Sequence, residues 1–167
     1  QFLSLMYNFK ISYYLKFIFL ISLISIISAY FIEYILGHQP CNLCLIERIP
    51  YGLSMILIAL NFVIFKNERF ITLLLILIFV FSFIISSYHF GIEQGLIQES
   101  TVCKTKDAFE ITSKEQLLEQ LQVRTISCKD VTFRIFGFSL TTFNIVISLI
   151  LVVLLSNIFN NYEKFKK

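Results

Sequence analysis

The chain has 167 residues, 57% of them hydrophobic, with 19 Phe, no Trp and a mean hydropathy of +0.79. Ordinary globular chains run at about 45–50% apolar; this excess is gathered in blocks too long for a soluble core. The formal net charge of +3 comes without a basic and aromatic patch, which leaves no nucleic-acid signature.

Four apolar blocks follow in order. Phe17–Leu36 is 20 residues with one charge, Glu33, near its end; Ile49–Phe65 is 17 charge-free residues, Phe70–Tyr88 is 19 and Ile135–Phe159 is 25. A spanning helix needs about 20 apolar residues, with a range of about 17–25. In lipid the backbone must satisfy its own polar groups, so helices are expected, and no block alternates like a barrel strand. The first block exceeds a typical signal-peptide core and lacks a small-x-small cleavage site, so it reads as a retained span. The chain begins at Gln1, with Met6 as a candidate start. The second block, the shortest, is compatible with a re-entrant or tilted element. The expectation is an all-α membrane protein: one four-helix domain over 1–167, with spans at 17–36, 49–65, 70–88 and 135–159. A short loop (37–48) and a long one (89–134) then lie on the same side. Within the long loop, Thr112-Ser113-Lys114-Glu115 reads as a capping box, and Leu117, Leu118 and Leu121 follow at helical spacing, which predicts a short amphipathic helix there.

Charge orients the spans. The side holding both termini and the 66–69 turn carries Lys10, Lys16, Lys66, Arg69, Lys164, Lys166 and Lys167. The short opposite loop has only Arg48, offset by Glu47, and the long loop mixes six basic with seven acidic residues. The positive-inside rule puts both termini in the cytoplasm. The loops then face outward, into the periplasm of a Gram-negative cell.

All four cysteines fall in those loops: Cys41 and Cys44 as a C-x-x-C, then Cys103 and Cys128. Cysteines on an oxidising face usually end as disulfides, and four allow three connectivities. The within-segment pairs are the natural resting arrangement. A C-x-x-C bond closes a tiny ring and removes little chain entropy, so its usual value is redox activity. If the turn before Pro50 is helical, Cys44 and Arg48 stand at i and i+4, where a guanidinium and a helix N-terminus stabilise the Cys44 thiolate. Other readings stay open: two structural staples, a zinc site using C-x-x-C with Cys103 and Cys128, and Arg48 as an interfacial anchor. His38 reads as a loop residue, and Glu33 as a side chain reaching the interface.

Three stretches resemble the DsbB family of membrane thiol:quinone oxidoreductases. Cys41-Asn42-Leu43-Cys44-Leu45-Ile46-Glu47-Arg48-Ile49-Pro50-Tyr51 is similar to the family's C-x-L-C-x-x-x-R-x-P form. Tyr88-His89-Phe90-Gly91-Ile92-Glu93-Gln94-Gly95 is similar to its Y-H-x-G-x-E segment. Ser127-Cys128-Lys129-Asp130, then Phe133-Arg134-Ile135-Phe136-Gly137-Phe138-Ser139-Leu140 and Asn144, is similar to the entry into its fourth helix. The family's outer-loop tryptophans are absent here, with Phe133 near one such place.

The resemblance implies a bacterial inner-membrane enzyme that reoxidises a periplasmic DsbA-like thiol oxidase. Electrons would pass from the Cys103–Cys128 pair to Cys41–Cys44 and on to ubiquinone or menaquinone, with Cys44 and Arg48 against the quinone and no metal. A vitamin K epoxide reductase-like enzyme is the rival within the same chemistry; the placement of Arg48 and the Tyr88–Glu93 segment argue against it. A membrane scaffold with structural disulfides is the non-enzymatic rival.

Overall fold

The computed structural model describes residues 2–63, 67–99, 103, 127–129, 133–135 and 137–161, with side chains from Ile11 onward in the first helix. Helix α1 (Phe2–Tyr34) is followed by a short α2 (Asn42–Ile46), then α3 (Ile49–Val63) and α4 (Glu68–Glu93). Strands β1 (Arg134–Ile135) and β2 (Phe138–Ser139) pair antiparallel and lead into α5 (Leu140–Asn160). Four segments are long and apolar enough to cross a membrane: Ile11–Tyr34, Asn42–Val63, Glu68–Glu93 and Leu140–Asn160. The four-span helical architecture expected from the sequence is therefore present. The helix expected around 112–122 lies outside the described residues.

Several boundaries differ from the sequence reading, each for a local reason. The second span gains length because α2 and α3 form an interrupted helix. Pro50 has no N–H to offer the Ile46 carbonyl, and α2 ends at that residue. α4 does not stop at Tyr88 but runs one more turn, so His89 and Glu93 belong to the helix and not to the loop. It ends in a Schellman motif. Gly95 is left-handed (φ 73°), its N–H donates to Ile92 O at 2.9 Å, and the Leu96 N–H donates to Gly91 O at 2.9 Å. The fourth span starts at Leu140 and not at 135. Gly137 takes a φ of 86° within the β1–β2 hairpin, and Ser139 then caps α5 by accepting from the Thr142 N–H.

α1 packs on α3, α3 on α4, and α4 most extensively on α5. The core is a ladder of inward residues, among them Ile18, Ile58, Leu75, Phe79, Leu151 and Leu155, all at most 1% exposed. Lipid tails are as apolar as these side chains, so close packing and interhelical hydrogen bonds have to hold the helices together. Two serine pairs supply both: Ser22 with Ser54 across α1 and α3 at 2.9 Å, and Ser148 donating to Ser82 across α5 and α4 at 3.1 Å. Because Gly95 occupies a backbone region that costs an L-residue roughly 1–2 kcal/mol, Gly95→Ala should destabilise the protein by about 1 kcal/mol, read as a lower unfolding midpoint in detergent.

Candidate redox site

The site is built where α1 ends, α2 and α3 begin, α4 ends and α5 begins. Cys41 and Cys44 form one disulfide with a Cα separation of 5.1 Å, and Cys103 and Cys128 form the other at 5.3 Å. The within-segment pairing expected from the sequence is the one present. Cys41 is the N-cap of α2, its sulfur accepting from the Cys44 N–H at 3.1 Å. Cys128 sits in a turn held by Glu99, whose Oε1 accepts from the Lys129 N–H at 3.0 Å and from the Ser127 hydroxyl. Both disulfides pack with Leu43 and Ile92 in a single buried cluster. The sulfurs of Cys41 and Cys128 and a ring nitrogen of His89 all lie within 4.8 Å of one another. Two pairs far apart in sequence are thus neighbours in space.

Beneath them lies a buried polar network. The Glu47 carboxylate, in the break between α2 and α3, accepts from His89 Nδ1 at 2.7 Å and from Asn144 Nδ2 at 2.8 Å. Asn144 also donates to Ser86 Oγ at 2.7 Å, while its own carbonyl accepts from the Tyr51 hydroxyl. Thr141 donates to Glu93 Oε1 at 2.6 Å. Three helices and the α2–α3 break are joined through these contacts. Burying such groups unpaired would cost several kcal/mol, so their pairing is a condition of the fold.

A cavity of about 340 Å³ opens beside the network. Ile26, Ala29 and Ile32 of α1 with Phe143 and Ile147 of α5 supply apolar walls, and Cys41, Cys44, Glu47, Arg48, His89 and Cys128 supply the reactive and polar ones. Arg48 forms a salt bridge with Glu33 of α1 and lies 5.0 Å from the Tyr30 ring centroid. Glu33 therefore meets a cation in the site instead of simply reaching the interface. His38 packs against Phe133 at 5.0 Å between ring centroids, joining the short loop to the chain entering β1.

All five site residues expected from the sequence, Cys41, Cys44, Arg48, Cys103 and Cys128, converge on this end of the bundle. The geometry alters two details. The α2 N-terminal hydrogen bond goes to Cys41 and not to Cys44, and Arg48 is engaged by Glu33 while sharing the cavity wall with Cys44. The sequence reading assigned no role to Glu47, His89, Glu93, Thr141 and Asn144. The signal for two of them was there: His89 and Glu93 are ionisable residues at i and i+4 continuing an apolar helix, a placement that usually faces inward.

Adjacent disulfides beside a cavity, in a chain with four candidate membrane spans, fit a membrane protein of thiol–disulfide exchange. The comparison with known proteins gives the family: residues 12–158 match the family model described as disulfide bond formation protein DsbB. The chain belongs to the DsbB family, whose members are disulfide-forming membrane oxidoreductases. It is also 35% identical over 138 residues to uncharacterized protein RP370 of Rickettsia prowazekii (strain Madrid E), covering 81% of this chain and 80% of that one. No solved structure matches it.

The proximity has a direct test. In the double variant Cys44→Ser with Cys103→Ser, the two remaining cysteines should join as a Cys41–Cys128 disulfide under mild oxidation, found by non-reducing peptide mapping.

Proposed function

We propose that this protein reoxidises a DsbA-like periplasmic thiol oxidase and passes the electrons through its two cysteine pairs to a membrane quinone, either ubiquinone or menaquinone. The reading places it in the bacterial inner membrane with both termini cytoplasmic and the cysteines periplasmic, as its seven basic residues on the terminal side favour. The observation that carries the proposal is the meeting of both disulfides at one largely apolar cavity with an arginine in its wall.

A thiolate of the reduced partner attacks the Cys103–Cys128 disulfide at Cys103 and forms a mixed disulfide. Cys128 leaves as a thiolate and, with Cys41 Sγ within 4.8 Å, attacks it and expels Cys44. The partner's second thiolate releases its own disulfide and frees Cys103. Cys103 then closes on Cys128 and displaces Cys41, so the outer pair is restored and the inner pair is reduced. Exchange of this kind runs through successive mixed disulfides, at rates set by access and by which sulfur is attacked.

The cavity suits a quinone on three counts. Its volume falls within the range of about 300–1,000 Å³ common for small-molecule sites, apolar side chains of α1 and α5 line it, and Arg48 offers fixed N–H donors to a carbonyl oxygen. A bound quinone supplies a two-electron, two-proton acceptor. Of the three cysteines in the cavity wall, Cys41, Cys44 and Cys128, the one this reading sets against the quinone is Cys44, and the Glu33 carboxylate and the Tyr30 ring hold the guanidinium in place.

Purified protein should oxidise a reduced DsbA-like partner only when quinone is added, and Cys44→Ala should abolish that rate; an intact rate would sink the mechanism. Cys128→Ala should accumulate a mixed disulfide at Cys103, whereas a trap at Cys41 reverses the assigned order. A hydrogen bond to a charged group contributes about 1.5–3 kcal/mol, so Arg48→Gln should raise the quinone concentration for half-maximal rate by roughly tenfold or more. Unchanged quinone dependence would remove the role given to Arg48.

A further inference from the structure

His89 touches the inner disulfide, and the exchange steps above give it no part. Its Nε2 lies 3.5 Å from Cys41 Sγ, while Nδ1 lies 2.7 Å from Glu47 Oε1 and 3.3 Å from Thr141 Oγ1. A carboxylate at that distance keeps the ring proton on Nδ1, which leaves the Nε2 lone pair facing sulfur. The side chain is 2% exposed, so bulk water has poor access to this position. A sulfur expelled there as a thiolate meets the imidazole first.

We propose that His89 is a catalytic residue, the proton carrier for Cys41 during exchange between the two pairs. The inference rests on the reading that electrons pass between those pairs. When Cys103 closes on Cys128, the Cys41–Cys128 bond breaks and Cys41 leaves with the electron pair. His89, holding a proton released by the partner's thiols, gives it to that sulfur from Nε2. When the inner pair is reoxidised, two electrons depart through Cys44 to the acceptor, the Cys41–Cys44 bond forms, and Cys41 returns its proton to Nε2. Nε2 then passes that proton on to Glu93, 3.8 Å away, and the partner's second thiol proton is lost to solvent, so each turn leaves the imidazole neutral, as it began.

The groups around the ring fit this traffic. Glu47 faces it from the α2–α3 break and balances the charge of the protonated ring. Glu93 follows on α4, with Oε1 3.8 Å from His89 Nε2 and accepting from Thr141. The second Glu93 oxygen, Oε2, is buried without a hydrogen-bond partner among the described residues. Glu93 lines both the main cavity and a second cleft bordered by Arg134 and Ser139, so it stands between the imidazole and that cleft as the next proton acceptor.

Quinone-free protein tests the step without the acceptor. One equivalent of a reduced thioredoxin-fold oxidase is added, samples are acid-quenched and alkylated, and reduction of Cys41–Cys44 is followed by mass spectrometry. General acid–base groups contribute about 10²–10⁴-fold, so His89→Gln should slow inner-pair reduction by roughly 100-fold while reduction of Cys103–Cys128 keeps its rate. In the fully reduced protein, the same variant should slow alkylation of Cys41 by about tenfold and leave Cys44 unchanged, a selectivity that a general loss of packing would not produce. If the wild type passes electrons inward and His89→Gln does so within threefold of its rate, the role of His89 is overturned and the relay stands. If the wild type itself fails to pass them, the relay falls and this inference with it. Should His89→Gln lose its helical spectrum, Glu47→Gln decides: exchange slowed by about tenfold supports the carrier, and an unchanged rate overturns it.

Discussion

The Glu47 carboxylate holds this end of the bundle together. It lies in the break between α2 and α3, 8% exposed, and each of its oxygens is taken by a donor from a different helix, His89 of α4 and Asn144 of α5. In a low-dielectric interior an unpaired carboxylate is costly, so the three elements are bound to meet wherever this group is buried. The disulfides rest on that meeting. Cys41 caps α2 three residues before Cys44, and Cys128 is drawn down beside the ring that Glu47 fixes.

Pro50 is the sequence feature that allows it. An unbroken helix from Asn42 to Val63 would carry Glu47 and Arg48 on adjacent positions about 100° apart, with the α2 turn unable to tilt. The interruption lets the two charges part: Glu47 turns into the bundle toward His89, and Arg48 turns to Glu33 on α1. One short C-x-x-C segment thereby addresses two sets of neighbours, a polar network inside and an ion pair on the cavity wall.

Much of this was legible in the primary structure, and the remainder fails for identifiable reasons. Length and apolarity alone locate four spans, because a lipid interior leaves few alternatives to the helix. The cysteine pairing follows from spacing and compartment. What periodicity does not reveal is where a helix ends once polar residues begin: His89 and Glu93 look like loop, yet they are helical, since their polarity is spent on partners inside the protein. Ile135 looks like span, yet it lies in β1 and Gly137 imposes a hairpin first. Taken singly, Glu33 reads as a charge reaching the interface, and Arg48 as a partner for Cys44 or an interfacial anchor. Their pairing joins positions 15 residues apart, one on α1 and one in the break before α3, and only the packing of α1 against α3 brings it about.

The nearness of Cys41 to Cys128 changes what the covalent structure of this chain means. A cross-link is ordinarily a fixed feature, written once when a protein matures. Here the sulfurs of Cys41 and Cys128 lie within 4.8 Å of one another, so of the three possible connectivities the one that joins these two is a close neighbour of the one present. Connectivity becomes a state variable, set at any moment by the local redox balance in the way that occupancy is set by ligand concentration. A disulfide count on a purified sample records a position on that balance.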